Sequence, residues 1–144
     1  MKTVRDVLRR KGREVSSVGP DTTVYDALKQ MADRNIGAVV VLDGGHPIGL
    51  FTEREYARQV ILKGKSSRDV AVREIMVSPV VCIAPQQNIE ECMALMTDKR
   101  IRHLPVMEGG RIGGIISMGD VVKAVIADQS FAIQQLEQYI TGVR

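Results

Sequence analysis

Two hydroxyl–carboxylate pairs stand out among the residues able to do chemistry: Thr52 with Glu55, and Ser117 with Asp120. Each closes the same run of glycine, two apolar residues, hydroxyl, two variable residues and carboxylate. The copies are Gly49-Leu50-Phe51-Thr52-Glu53-Arg54-Glu55 and Gly114-Ile115-Ile116-Ser117-Met118-Gly119-Asp120. A hydroxyl three residues ahead of a carboxylate, following an apolar stretch, reads as a strand turning into a helix, with the hydroxyl as N-cap and the carboxylate at the third helical position. Free backbone N–H groups and the positive end of the helix dipole at such a junction favour an anion.

Nucleophilic or redox chemistry finds less support. His46 and His103 are the only histidines, and His46 falls in a turn. The sequence has no phosphate-binding glycine loop, no dinucleotide glycine pattern and no nucleophile beside a histidine and an acid. Cys82 and Cys92 lie in apolar surroundings with no further thiols, which points to neither a disulfide framework nor a metal site. They read as buried, reduced thiols of a cytoplasmic protein rather than a redox pair.

The two motifs are 65 residues apart, and the offset holds without a gap. From Val15 to Ile61, eleven of 47 positions are identical to the residue 65 further on. With a shift of three, Val4-Arg5-Asp6-Val7-Leu8 matches Val72-Arg73-Glu74-Ile75-Met76. The chain is therefore two tandem copies of one unit, expected over 1–64 and 72–127, with a linker at 65–71 and a helical tail at 128–144. At 144 residues the two halves should share a core, because units of about 60 residues are marginal alone.

Within each unit the signals run in a fixed order. Thr3 caps a short helix carrying Val4, Val7 and Leu8, which stops near Gly12. Val15–Val18 is extended; a helix opening at Thr22 or Thr23 places Val24, Ala27, Leu28, Met31 and Ala32 on one face. Strand 38–42, the turn Asp43-Gly44-Gly45-His46 and a second strand ending at Phe51 form a hairpin, and a helix runs from Thr52 to about Lys63. The second unit repeats this: Val80–Ile83 extended, a helix with Ile89, Cys92, Met93 and Met96, strands His103–Met107 and Ile112–Ile116, and a helix from Ser117. Gln129–Ile140 reads as a further helix with Phe131, Leu136 and Ile140 as its apolar members and Gly142 near its end.

Composition bounds the partners. Net charge is +3 with interspersed signs and aromatic content is 3%, so a nucleic-acid partner has little support. The longest apolar run, Ile36 to Leu42, is far short of a bilayer span, and no signal peptide is evident, so no membrane association is expected.

A tandem α/β (α+β) unit of order β-α-β-β-α, with Gly, two apolar residues, Thr or Ser, two variable residues and an acid after each hairpin, resembles the cystathionine-β-synthase (CBS) domain. The phrases Phe51-Thr52-Glu53-Arg54-Glu55-Tyr56 and Arg100-Ile101-Arg102-His103-Leu104-Pro105-Val106 are similar to those of small stand-alone CBS-pair proteins. The resemblance covers about residues 1 to 127 and implies two repeats packed sheet to sheet with two clefts that bind adenine nucleotides: AMP first, with ADP, ATP or NAD(H) as alternatives.

The resemblance carries a ribose-binding carboxylate to Asp120 and, with Glu replacing the family's Asp, to Glu55. It carries the hydroxyl near phosphate to Thr52 and Ser117. Base-lining positions fall on Val15 and Ser16, Val80 and Val81, Ile36, Gly37 and Ala38, and on Ile101, Arg102 and His103. Arg54, Arg58, Arg102 and His103 are the cationic candidates for phosphate, arginine being suited to bidentate contact. A capping role alone also explains both hydroxyl–carboxylate pairs, and the longer Glu55 suits that role better than Asp120 does. The implied function is a regulatory sensor without catalysis or metal, acting as a homodimer on a separate effector protein. The other readings are a nucleotide-hydrolysing or nucleotide-transferring enzyme and a nucleic-acid binder.

Overall fold

The computed structural model describes residues 2–141. Thr3 opens α1 (Val4–Lys11) with a full capping box: its hydroxyl accepts from Asp6 N–H, and the Asp6 carboxylate accepts from Thr3 N–H. There follow β1 (Ser17–Val18), α2 (Val24–Arg34), β2 (Ala38–Asp43), β3 (His46–Thr52) and a single helical turn, α3 (Glu53–Tyr56). After a 3₁₀ turn at Val72–Glu74 come α4 (Ile89–Lys99), β4 (His103–Glu108), β5 (Arg111–Ser117) and the long α5 (Met118–Thr141). The architecture is the α/β arrangement expected, with two small sheets, β1-β2-β3 and β4-β5. Both hairpins turn through paired glycines with positive φ, Gly44-Gly45 and Gly109-Gly110, the backbone that a two-residue hairpin loop demands.

Three elements differ from expectation. The extended segment over Val80–Ile83 is a single bridge from Ile83 to Val106. In the first repeat Val40 N–H donates to the Ser16 carbonyl at 3.1 Å, whereas the repeat-equivalent of Val40 is Pro105, which has no N–H to give Val81. The helix expected from Thr52 to Lys63 is α-helical only to Tyr56 and then winds as a π-helix over Ala57–Ile61. Its wider turn, marked by Leu62 N–H to the Ala57 carbonyl at 3.0 Å, keeps Val60 buried while Ile61 and Leu62 face outward. The tail is not a separate helix: Ile126-Ala127-Asp128 contains no breaker, so α5 continues to Thr141 with Phe131 and Leu136 exposed, and Gly142 lies outside the described residues.

Each core is completed by the other repeat. Val4, Val7 and Leu8 of α1 pack with Ile83, Ile89, Cys92, Met96, Leu104 and Ile116. Conversely Val70, Val72 and Ile75 pack with Val18, Val24, Met31, Val39, Val41 and Phe51. Backbone bonds seal both exchanges: Val4 N–H to Gln87 O at 2.8 Å, Ile89 N–H to Lys2 O at 3.0 Å, Val24 N–H to Val70 O at 2.8 Å and Val72 N–H to Thr22 O at 2.9 Å. Each fully buried Val or Leu in these segments contributes roughly 1.5–3 kcal/mol. A third cluster joins the sheets face to face, with Ala38, Val40 and Leu50 against Val15, Leu42, Ile112 and Ile115. No helix among the described residues is long and apolar enough to cross a membrane.

Candidate functional site

The two hydroxyl–carboxylate pairs occupy equivalent strand–helix junctions but do different things. At the β5–α5 junction Ser117 and Asp120 form a reciprocal cap. Asp120 Oδ2 accepts from Ser117 N–H at 2.8 Å and from its hydroxyl at 2.9 Å, and Ser117 Oγ accepts from Asp120 N–H at 3.1 Å. The same carboxylate oxygen takes Lys11 Nζ at 2.6 Å. Burial raises the pKa of Asp120, but Lys11 and the Ser117 donors outweigh it and hold the carboxyl below its usual value.

At the β3–α3 junction the cap expected of Thr52 and Glu55 does not form. The Thr52 side chain makes no cap bond to the backbone; its hydroxyl instead donates to Glu55 Oε1 at 2.7 Å. The expectation that Glu55 would be the better capping partner is thus reversed, with Asp120 filling that role. Length alone does not decide it, since Glu74 and Glu91 reach back to the N–H groups of Ala71 and Asn88 in this chain; at Glu55 the carboxylate meets the Thr52 hydroxyl instead.

Beside Glu55 opens a cleft of about 880 Å³ between the repeats. One wall is Gly37, Leu50 and residues 52–55 with Arg58 and Gln59, together with Ile75, Met76 and Val77, which is bridged to Leu50; the other is residues 99–103. Five cations, Arg54, Arg58, Lys99, Arg100 and Arg102, face two carboxylates, Glu53 and Glu55. Arg54 ties the walls together, donating to the Arg100 carbonyl at 3.1 Å. Arg100 caps α4 in the left-handed region (φ 55°), as Asn35 caps α2 at the equivalent position (φ 53°). Burial lowers the pKa of His103, the nearby Lys11 and Arg102 lower it further against Asp120, and its ring stays neutral at pH 7.

Of the residues singled out in the sequence, Thr52, Glu55, Arg54, Arg58, Gly37, Ile101, Arg102 and His103 come together at this cleft. The others lie elsewhere. Val15 and Ala38 belong to the cluster between the sheets, and Ile36 packs on the first core. Ser16 Oγ accepts from Arg34 at 2.7 Å, and Val81 packs on the second core with Val80 half-buried beside it. Ser117 and Asp120 stand at the other junction, where a smaller space of about 280 Å³ is bounded by Lys2, Val7, Arg10, Lys11, Asp120, Lys123 and Ala124.

Besides the apolar cleft residues Leu50, Ile75, Met76 and Val77, sequence reasoning missed the cations Lys11, Lys99 and Arg100. A lysine in the last turn of α1 reads as an ordinary charge at a helix end. Only the 65-residue register, which sets Lys99-Arg100 against Arg34-Asn35 beside the assigned 36–38 segment, carried a signal for the other two. Burial pushes both thiols up, Cys92 to about 11 with help from Glu91, so they keep their protons at neutral pH. Among the described residues no cluster of three or more His, Cys, Asp or Glu side chains is placed to hold a metal ion.

Tandem hairpin units with exchanged segments and a cleft between them define a paired-domain protein. The CBS domain model matches residues 3–61 and 72–127, and the chain belongs to that family. Among relatives, the mitochondrial CBS domain-containing protein CBSX3 of Arabidopsis thaliana is 38% identical, over 97% of this chain and 72% of its own length. The CBS domain-containing protein YhcV of Bacillus subtilis is 28% identical, over 90% of each. Among solved structures, a putative signal-transduction protein with CBS domains from Burkholderia ambifaria is 49% identical with a TM-score of 0.85, covering 89% of this chain and 96% of its own. A CBS-domain protein from Agrobacterium tumefaciens is 44% identical with a TM-score of 0.82, covering 85% and 98%.

Proposed function

We propose that this CBS pair is a regulatory module that binds an adenine nucleotide in the cleft beside Glu55 and performs no catalysis. The observation that carries the reading is the cleft itself. Its volume of about 880 Å³ falls within the range of small-molecule sites, and it combines an apolar wall, a carboxylate and five cations. Glu55 Oε1 takes the Thr52 hydroxyl, and its second oxygen accepts from the ribose hydroxyls. Leu50, Ile75, Met76, Val77 and Ile101 pack on the base, while Arg58, Arg100 and Arg102 face the phosphate.

AMP is the first expectation, with ADP, ATP or NAD(H) as alternatives. A CBS domain pair of the same fold, 19% identical, is described in complex with 5′-methylthioadenosine and S-adenosyl-L-methionine, which adds adenosine ligands to the set to be tried. Because both repeats line the cleft, a bound nucleotide biases their relative orientation through its differential affinity for the two arrangements, and a homodimer transmits that bias to an effector protein. Calorimetric titration with AMP, ADP, ATP, NAD⁺ and S-adenosylmethionine tests the reading. Saturable heat with at least one of them supports it, and no heat together with no thermal stabilisation by any of them ends it. Glu55→Gln should weaken binding by about 1–3 kcal/mol, the loss expected for one charged hydrogen-bond acceptor.

A further inference from the structure

The two junctions differ in what contacts the carboxylate. Lys11 sends its ammonium to Asp120 Oδ2 at 2.6 Å and to the Ile115 carbonyl at 2.8 Å, so a full positive charge stands against one oxygen of the carboxylate that would face a ribose at the second junction. Both bonds are charge-assisted, and the pair is partly shielded, with side-chain exposures of 32% for Lys11 and 16% for Asp120. On the α1–α5 side the pair borders a space of about 280 Å³ that includes neither Ser117 nor the 34–38 segment, whereas the space at Glu55 is about 880 Å³ and takes in the equivalent residues 99–103.

The repeat register explains why Glu55 is spared. Aligning Val4–Leu8 with Val72–Met76 sets Lys11 against Pro79, which has neither charge nor side-chain donor. The described residues accordingly give Glu55 no ion pair. A ribose diol offers a carboxylate two neutral donors; at Asp120 it competes with a bonded positive charge, while among the described residues the side chain bonded to Glu55 is the neutral Thr52 hydroxyl.

We propose that Lys11 is an internal competitor that closes the Asp120 junction to nucleotide, so that each chain binds one nucleotide, at Glu55, and a second only when Lys11 is removed. The proposal rests on the adenine-nucleotide reading above. Lys11 thereby sets the capacity of the module, although it touches no ligand at the open cleft.

The test is calorimetric stoichiometry with AMP and with ATP on the wild type, Lys11→Met, Glu55→Gln and the double variant. Methionine keeps most of the aliphatic stem, and Lys11→Gln provides a second neutral side chain should the first fold poorly. The expected result is one nucleotide per chain in the wild type, two in either Lys11 variant, binding about tenfold weaker or worse in Glu55→Gln, and one restored in the double variant. Two per chain in the wild type, or one in both Lys11 variants, overturns the role of Lys11 and leaves the nucleotide reading standing. No binding of either nucleotide by any of the proteins overturns that reading and the proposal with it.

Discussion

Leu8 of α1 lies against Gly114 of β5 with no space between them for a side chain: a Cβ on Gly114 would stand 2.6 Å from Leu8 Cδ2 and 3.0 Å from Cδ1. Met76 meets Gly49 in the same way in the other repeat. The glycine heading each motif therefore serves the segment exchanged from the opposite repeat, which crosses the strand at that point.

Gly114→Ala is expected to cost about 1–3 kcal/mol, because Leu8 is only 1% exposed and cannot turn aside without disturbing the core around it. Gly49→Ala should cost less, since Met76 is half-buried and its unbranched thioether can take another rotamer. Urea unfolding of the two variants checks the order. A larger loss at Gly49 would show that the Met76 side is the more rigid.

Much of this was legible in the sequence because repetition and periodicity are local. The face of α2 carrying Val24, Ala27 and Met31, both paired-glycine hairpins and the strand–helix junctions follow from spacing alone. What was not legible depends on distance along the chain. The pattern of Val4, Val7 and Leu8 says that a face is buried but not that it is buried in the other repeat's core. Likewise nothing near Lys11 reveals a partner 109 residues away, and so the ion pair at Asp120, which Glu55 lacks, was not legible.

The Lys11–Asp120 pair has a consequence in acid. The folded pKa of Asp120 is below the usual carboxylate value of 3.8, so its contribution to stability is full above about that pH and is lost as pH falls through the lower folded value. Asp120→Asn should cost on the order of 1 kcal/mol at pH 7, a modest figure for a partly exposed pair. The gap from the wild type should narrow below pH 4. Chemical denaturation at pH 7 and pH 3 measures it, and an equal gap at both would assign the loss to packing instead.

His103 reports on the same pair. Its folded pKa lies below 6.5, chiefly through burial and then through Lys11 and Arg102, with Asp120 opposing. Stability is therefore complete above pH 6.5 and declines as pH falls from there to the folded pKa, where the unfolded chain binds the proton first. Lys11→Met should raise the His103 pKa and Asp120→Asn should lower it further. Imidazole proton shifts followed by NMR give both signs, and shifts in the same direction would contradict the arrangement.

Arg100 links stability to the cleft. It holds a left-handed backbone conformation (φ 55°) that costs a side-chain-bearing residue roughly 1–2 kcal/mol, and that glycine adopts freely. Arg100→Gly should therefore stabilise the fold by about 0.5–1 kcal/mol, part of the relief being lost to the greater entropy of glycine in the unfolded chain. The Arg100 carbonyl that receives Arg54 is retained in the variant, so the two walls stay joined. Its guanidinium is lost from the cleft, however, and nucleotide affinity should fall as stability rises, the exchange expected where strain is kept at a functional site. Thermal unfolding and titration of the same variant measure the two effects. Stabilisation with unchanged affinity would remove Arg100 from the phosphate-facing group, leaving Arg58 and Arg102 to fill it.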